Sequence, residues 1–487
     1  MSLEKKFIKQ ISHYLTGHVF SHALGFITFP ILTRILIVKD YGLLSLVTTT
    51  MTLGLSFAHL GLHQSLIRYY SDFQNRKDKS SLFTYYSTFF LSSLFLGICG
   101  SLLFLIAAQT FLKRIVGNEA AGILSFVSIS ILLGCISASL NSFLRVEQKT
   151  KLFNFLSVTG RIVSYGLSFI FLYFFIGGLY GFFFGSMLAQ FIFIVFLTKY
   201  LFKNNRIRFQ YFSFPFLRQA IMYGLPFTML EVSHGLLNFG DRYLIQYYLD
   251  SEALGLYSAA YTLSMQIVQI VDYPILSVVP IIYFELWADK GSEAVQDFLK
   301  NTLTYFAIIS FPIMFGIIAV SKELVVLIAS QKFAESAAIM PFVVIGGLIF
   351  ASSTFFSAGL YIHKKTIVPA TAMLISVLIN FGLNYILIPK YGITGAAIAT
   401  LVGYVSYVLL IIPIAFRYLS YTPDFKALGR YAVYSAVMLL IIMQINLQHG
   451  PTNLLIKVSA GIIVYSLMIL LFEAKIKKIV SNIFSGK

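Results

Sequence analysis

Apolar residues along this chain run together for about twenty to thirty positions at a time, and the polar positions collect in the short gaps between the runs. Residues 383–405, LNYILIPKYGITGAAIATLVGYV, show the unit: two apolar flanks joined by PKYG, the second flank restarting on Gly395, Ala396 and Ala399. A helix on a soluble domain keeps one polar face, whereas these runs are apolar all round and reach the ~20 residues that cross a bilayer. They fall near 11–36, 41–66, 80–107, 119–143, 152–176, 178–202, 216–240, 253–283, 299–320, 335–360, 366–388, 392–416, 428–447 and 452–472. The pattern predicts an all-α integral membrane protein of about fourteen transmembrane helices, with both termini on one side.

Composition agrees: 58% of residues are hydrophobic and 11% charged, where soluble domains carry about a quarter charged. Mean hydropathy is +0.83. Cys99 and Cys135, the two cysteines, both sit inside apolar runs and form neither a disulfide framework nor a zinc site. The first run is too long and too polar for a cleaved signal and reads as a retained span. The net charge of +17 would fit nucleic acid, but its placement is a membrane pattern. Loops on the side of the termini hold 26 Lys and Arg, those on the opposite side 8, with Arg161 and Lys457 inside spans. The positive-inside rule then expects both termini in the cytoplasm, with the basic face attracting anionic lipids and not nucleic acid.

The chain also repeats itself. FIKQ at Phe7 returns as FLRQ at Phe216, SH at Ser21 as SH at Ser233, and DYGLLSL aligns its Gly42 with Gly255 of ALGLYSA. EQKT at Glu147 returns as HKKT at His363, and GLYGFFFGS aligns Gly178 with Gly392 of GITGAAIAT. The offsets, 209 to 216, span six helices, an even number, so the halves are expected to insert in the same orientation. The expected organisation is a six-helix bundle at 1–205, a second at 206–420, and two additional helices with a basic tail at 421–487. In the hairpin at 383–405, small residues on one face let two helix backbones approach closely.

That hairpin resembles a signature of bacterial polysaccharide-unit flippases (O-antigen, capsule or exopolysaccharide), part of the multidrug/oligosaccharidyl-lipid/polysaccharide exporter superfamily. LTRILIVKDYGLLSLVTT (32–49), LGLHQSLIRYYSD (60–72) and DRYLIQYYLDSEALGLYSAAYTLS (241–264) look like three more, and the similarity covers the first twelve helices. The resemblance implies two bundles that alternate access and carry an undecaprenyl-diphosphate-linked oligosaccharide from the inner to the outer leaflet for surface polysaccharide assembly. It implies no cofactor; a coupling ion (H+ or Na+) and other polysaccharide assembly proteins are the further partners. A lipid II flippase and an ion-coupled multidrug exporter of the same superfamily are the alternatives.

Charges inside spans cost ~2.5–3.5 kcal/mol each on insertion scales, so each needs a partner, a cavity or a task. Arg161 lies nine residues into the fifth span. It either grips phosphate oxygens through its planar fork or pairs with Glu231 or Asp272. Arg34 and Arg242, nearer the outer ends of spans, are candidate substrate contacts able to snorkel. Glu231, Asp272 and His234 are candidates for ion coupling, because buried carboxylates titrate near neutral pH. Glu231 and His234 have a metal-like spacing, but no second such pair accompanies them, so no metal is expected. His13, His18 and His22 on the first span, His59 and His63 on the second, and Asn380 with Asn384 on the eleventh form polar stripes that either contact sugar or bond between helices. A membrane glycan polymerase or transferase would need a sizeable, acid-rich outer loop, and no such loop, nucleophile elbow or nucleotide-binding motif occurs in the chain. The expectation is a transporter and not an enzyme.

Overall fold

The computed structural model describes residues 24–75, 79–112, 118–175, 178–203, 207–445 and 450–473. Every regular element among them is helical. They divide into two compact units, the first drawing on Met1–Leu32 and Asp40–Tyr247, the second on Thr33–Lys39 and Tyr248–Lys487. His13, His18 and His22 lie outside the described residues.

The first unit is built on α1 (Leu24–Ile35), α2 (Val38–Ala58), α3 (Leu62–Gln74), α4 (Lys79–Ala107), α5 (Asn118–Val146), α6 (Thr150–Ile170), α7 (Leu179–Leu201), α8 (Phe214–Phe239) and α9 (Asp241–Tyr248). The run expected at 41–66 is not one helix. α2 stops at Ala58, and Leu60 and Gly61 turn with φ of 47° and 65°. Glycine is required at 61 twice over, for the left-handed backbone and because a Cβ there would lie 2.2 Å from the Gly224 carbonyl oxygen of α8. One turn on, the Ser65 hydroxyl donates to the Ala220 carbonyl at 2.6 Å, so a side chain of α3 is bonded to the backbone of α8.

Leu66, Tyr85, Phe89, Phe143 and Phe216 then close an aromatic core across α3, α4, α5 and α8. The Tyr85 hydroxyl, inside that core, donates to the Leu66 carbonyl at 2.7 Å, as a buried phenol must. At the far end of α8, the hydroxyls of Thr50 and Tyr243 meet at 2.7 Å. These contacts carry the first packing unit through Tyr247, whereas the sequence repeat restarts near residue 206. The repeat marks the duplication; the unit marks what packs on what.

The second unit holds α10 (Ser251–Ile328), α11 (Met340–Ala351), α12 (Ser353–Ile362), α13 (Ile367–Ala415), α14 (Phe425–Met443) and α15 (Gly450–Phe472). Asp250 caps α10, its carboxylate accepting the Ala253 N–H at 2.7 Å. A straight helix of 78 residues would run to roughly 117 Å at 1.5 Å per residue, about four bilayer cores. Gly291, with φ 78°, divides it, and Gly392, with φ 59°, divides α13. Past Gly392, a Cβ on Gly395 would fall 2.3 Å from the Leu387 carbonyl oxygen, so the close approach expected from the small residues is present. α14 and α15 pack on α10 through Tyr431, Tyr434, Met438, Tyr465 and Ala307. Ten helices among the described residues are long and apolar enough to cross a membrane, counting each of the two divided helices once.

The duplication is visible in backbone detail. Gly178 and Gly392, aligned in the sequence, adopt φ/ψ of 75°/−155° and 59°/−141°. Gln148 and Lys364, within the aligned EQKT and HKKT segments, turn with φ of 56° and 58°. Each ends its helix with the same pair of bonds: Lys149 N–H to Leu144 O and Gln148 N–H to Arg145 O in one copy, Lys365 N–H to Leu360 O and Lys364 N–H to Tyr361 O in the other. This is the Schellman arrangement, written twice with a non-glycine residue.

Candidate functional site

Within the first unit, α2, α5, α6 and α7 surround a cavity of about 400 Å³. Its polar lining comes from helical spacing. Ser130, Gly134, Ser137 and Asn141 stand at i, i+4, i+7 and i+11 on α5, and Ser157, Gly160, Arg161 and Ser164 at i, i+3, i+4 and i+7 on α6. Ser186 and Gln190 add one turn of α7. Arg161 is exposed into this space, and neither it nor Ser157, Ser164 or Gln190 has a hydrogen-bond or ion-pair partner among the described residues. The proposed pair between Arg161 and Glu231 is not formed. Glycine at 134 and 160 keeps the walls low: a Cβ on Gly134 would sit 2.8 Å from Leu55 Cδ1, and Phe193 lies over Gly160.

Glu231 has other partners. Ser56 donates to its Oε1 at 3.2 Å, and His59 Nε2 lies 3.6 Å from its Oε2. The break after α2 fixes the His59 tautomer, because the Gly61 N–H donates to Nδ1 at 3.1 Å. A neutral His59 therefore keeps its proton on Nε2, facing the carboxylate. The His63 ring packs edge-on against His59 at 4.5 Å. The ligand atoms of His59, His63 and Glu231 lie within 4.8 Å of one another, close enough to hold an ion. The donor chemistry does not favour a metal: coordination through His59 Nε2 would put a proton on Nδ1, against the Gly61 N–H. The cluster suits a shared proton better.

The other sequence candidates are dispersed. Arg242, expected to snorkel, is instead buried, donating to Thr49 Oγ1 at 2.6 Å and lying over the Phe239 ring at 4.8 Å. Arg34 donates to the Leu327 carbonyl at 2.8 Å, and Lys332 reaches back to the Leu36 carbonyl at 2.5 Å, both contacts lying within the second unit, to which Thr33–Lys39 belongs. Asn380 and Asn384 are fully buried and bonded to each other at 3.0 Å, which leaves them no surface for sugar in this conformation. His234, exposed on the same helix as Glu231, accepts at its carbonyl from Asn238 at 2.7 Å. Asp272 is half-buried with no partner for Oδ1, two residues before Pro274.

Sequence reasoning passed over the serine, asparagine and glutamine lining, although the i, i+4, i+7 spacing on α5 and α6 was there to read. It also passed over Glu323, which accepts from Lys457 at 2.6 Å and Asn453 at 2.9 Å and fastens α15 to α10.

An all-helical chain whose apolar spans enclose a polar cavity is a multi-pass membrane protein with a transporter fold. The fold is similar to that of the lipid II flippase MurJ in its inward closed conformation, with a TM-score of 0.77 and 19% identity over 95% of this chain and 99% of that one. Residues 31–338 match the family described as polysaccharide biosynthesis protein, and the chain belongs to that family. It is 23% identical to the probable low-salt glycan biosynthesis flippase Agl15 of Haloferax volcanii over 38% of this chain, and 28% identical to the teichuronic acid biosynthesis protein TuaB of Bacillus subtilis over 22%. Those matches span 40% and 22% of the two relatives' own lengths.

Proposed function

We propose that the protein is a flippase that moves a lipid-linked oligosaccharide, carried on undecaprenyl diphosphate, from the inner to the outer leaflet of the cytoplasmic membrane by alternating access. The family and the two named relatives support glycan export over the lipid II and multidrug alternatives; the likeness to MurJ speaks for the fold alone. One of the relatives is named as a probable flippase, which supports transport over bond-making. The observation that carries the reading is Arg161, an unpartnered guanidinium in a cavity of hydroxyl and amide groups. Such a lining binds the polar, anionic part of a glycolipid and gives nothing to an apolar drug. The excess of Lys and Arg on the side of the termini supports an orientation with both ends in the cytoplasm.

The test is reconstitution in vesicles with a labelled undecaprenyl-diphosphate oligosaccharide, read by its accessibility to a glycosidase added outside. Wild-type protein should expose the buried half of the label, Arg161→Lys should slow this, and Arg161→Ala should abolish it at equal protein incorporation. Full transport by Arg161→Ala would overturn the role of this cavity. Transport of a cationic dye with no movement of the glycolipid would overturn the substrate class.

A further inference from the structure

Arg161 offers one positive charge, and the ligand's charge must match it. Among the sixteen residues that line the cavity there is no second cation, no carboxylate and no histidine. A diphosphate diester carries about two negative charges, so that a single guanidinium would leave one of them uncompensated in a low-dielectric interior, which is costly. A single carboxylate is neutralised one for one, and its two oxygens fit the fork of the guanidinium.

The neutral lining points the same way. Ser186 spends its hydroxyl proton on the Phe183 carbonyl at 2.8 Å and offers the cavity lone pairs only. Asn141 spends one of its two amide protons on Ser137 Oγ at 3.3 Å and keeps the other beside its carbonyl oxygen, so that with the unpartnered hydroxyls and amide of Ser157, Ser164 and Gln190 the lining both donates and accepts. A lining of donors and acceptors is satisfied in full only by groups that do both. Phosphate oxygens of a diester have no protons to give, whereas sugar hydroxyls have one each. Phe193, lying over Gly160 beside Arg161, supplies a flat apolar wall for a ring face. A volume of about 400 Å³ is within the ~300–1,000 Å³ of small-molecule sites.

We infer that this cavity holds the glycan and not the diphosphate, and that Arg161 selects a sugar bearing one carboxylate, a uronic acid or its equivalent. The inference rests on the flippase reading and narrows it: the exported oligosaccharide is acidic, and Arg161 recognises it.

Binding to purified full-length protein in detergent, by titration calorimetry, tests this with three probes: a glucuronic-acid-containing disaccharide, its glucose counterpart, and inorganic pyrophosphate in magnesium-free buffer. The acidic disaccharide should bind about tenfold or more tightly than the neutral one, and pyrophosphate should not compete with it. Arg161→Gln should bring the acidic sugar down to the neutral one's affinity while eluting as wild type. Gln190→Leu, which leaves the charge in place, should weaken both sugars and keep their ratio. Equal binding of the two disaccharides to wild-type protein would overturn the inference. Pyrophosphate binding that depends on Arg161 would also overturn it and leave the flippase reading standing, with the diphosphate at Arg161. If no probe binds and Arg161→Gln still transports the labelled glycolipid, the inference and the cavity's role in transport fall together.

Discussion

Lys457 Nζ lies 2.6 Å from Glu323 Oε1, with the two side chains only 10% and 17% exposed, so that α15 is fastened to α10 by an ion pair inside apolar helices. Removing one member strands the other charge, at a cost of about 3–5 kcal/mol. Lys457→Met and Glu323→Gln should each lower the unfolding temperature and membrane abundance sharply. The double change, leaving no buried charge, should recover most of the loss. Thermal denaturation of the purified proteins checks it, and additive losses in the double variant would show that the pair is not the interaction at stake.

The Gly61–Gly224 approach makes a second prediction. Gly61→Ala places a Cβ 2.2 Å from the Gly224 oxygen at φ 65°, and Gly224→Ala places one 2.7 Å from the Gly61 and Leu60 oxygens. Neither neighbour is a movable side chain, so α3 and α8 must separate. Both variants should fall well below wild type in folded yield by size-exclusion profile, Gly61→Ala further because the left-handed backbone adds about 1–2 kcal/mol. A control at Gly166, with nothing within 4 Å of an added Cβ, should tolerate alanine.

The two Schellman turns run the other way. Gln148 and Lys364 are exposed residues held at φ near 57°, where glycine is the unstrained choice. Gln148→Gly and Lys364→Gly should each stabilise the protein by about 1 kcal/mol, and their effects should add, since they sit in different units. Melting curves of the single and double variants decide this; no gain at either position would mean that the lost side chain outweighs the relieved backbone.

How far the sequence carried these conclusions depended on the period of the signal. The spans and the repeat were legible because apolar runs and recurrent turn residues are one-dimensional features; Gly178 and Gly392 could be aligned before their backbones were known. The break at Leu60–Gly61 was not legible, since its cause is the Gly224 backbone 163 residues away. Arg161 was conspicuous as a charge, but its surroundings were not. A serine in an apolar helix can bond the carbonyl one turn back, as Ser186 does, and so costs little and stands out little. Only the convergence of α5, α6 and α7 turns such residues into a cavity. Arg34 and Arg242 look alike in the sequence, and tertiary partners gave each a tie to make.

The last prediction concerns what drives transport. A neutral His59 carries its proton on Nε2 because the Gly61 N–H occupies Nδ1, and Nε2 lies 3.6 Å from Glu231 Oε2. A carboxylate, an imidazole of fixed tautomer and a second imidazole form a site where one proton can be gained and lost without a metal. Of the two candidate coupling ions, we predict the proton over sodium. In reconstituted vesicles, an imposed pH gradient should accelerate wild-type movement of the glycolipid, while a sodium gradient at constant pH should leave it unchanged. Glu231→Gln keeps the shape and the Ser56 contact but cannot ionise; it should retain slow movement and lose the response to pH. His59→Gln should shift the response along the pH axis without erasing it, because Glu231 remains. A sodium-driven wild type, or a Glu231→Gln variant that still follows the pH gradient, would remove this cluster from the energetics altogether.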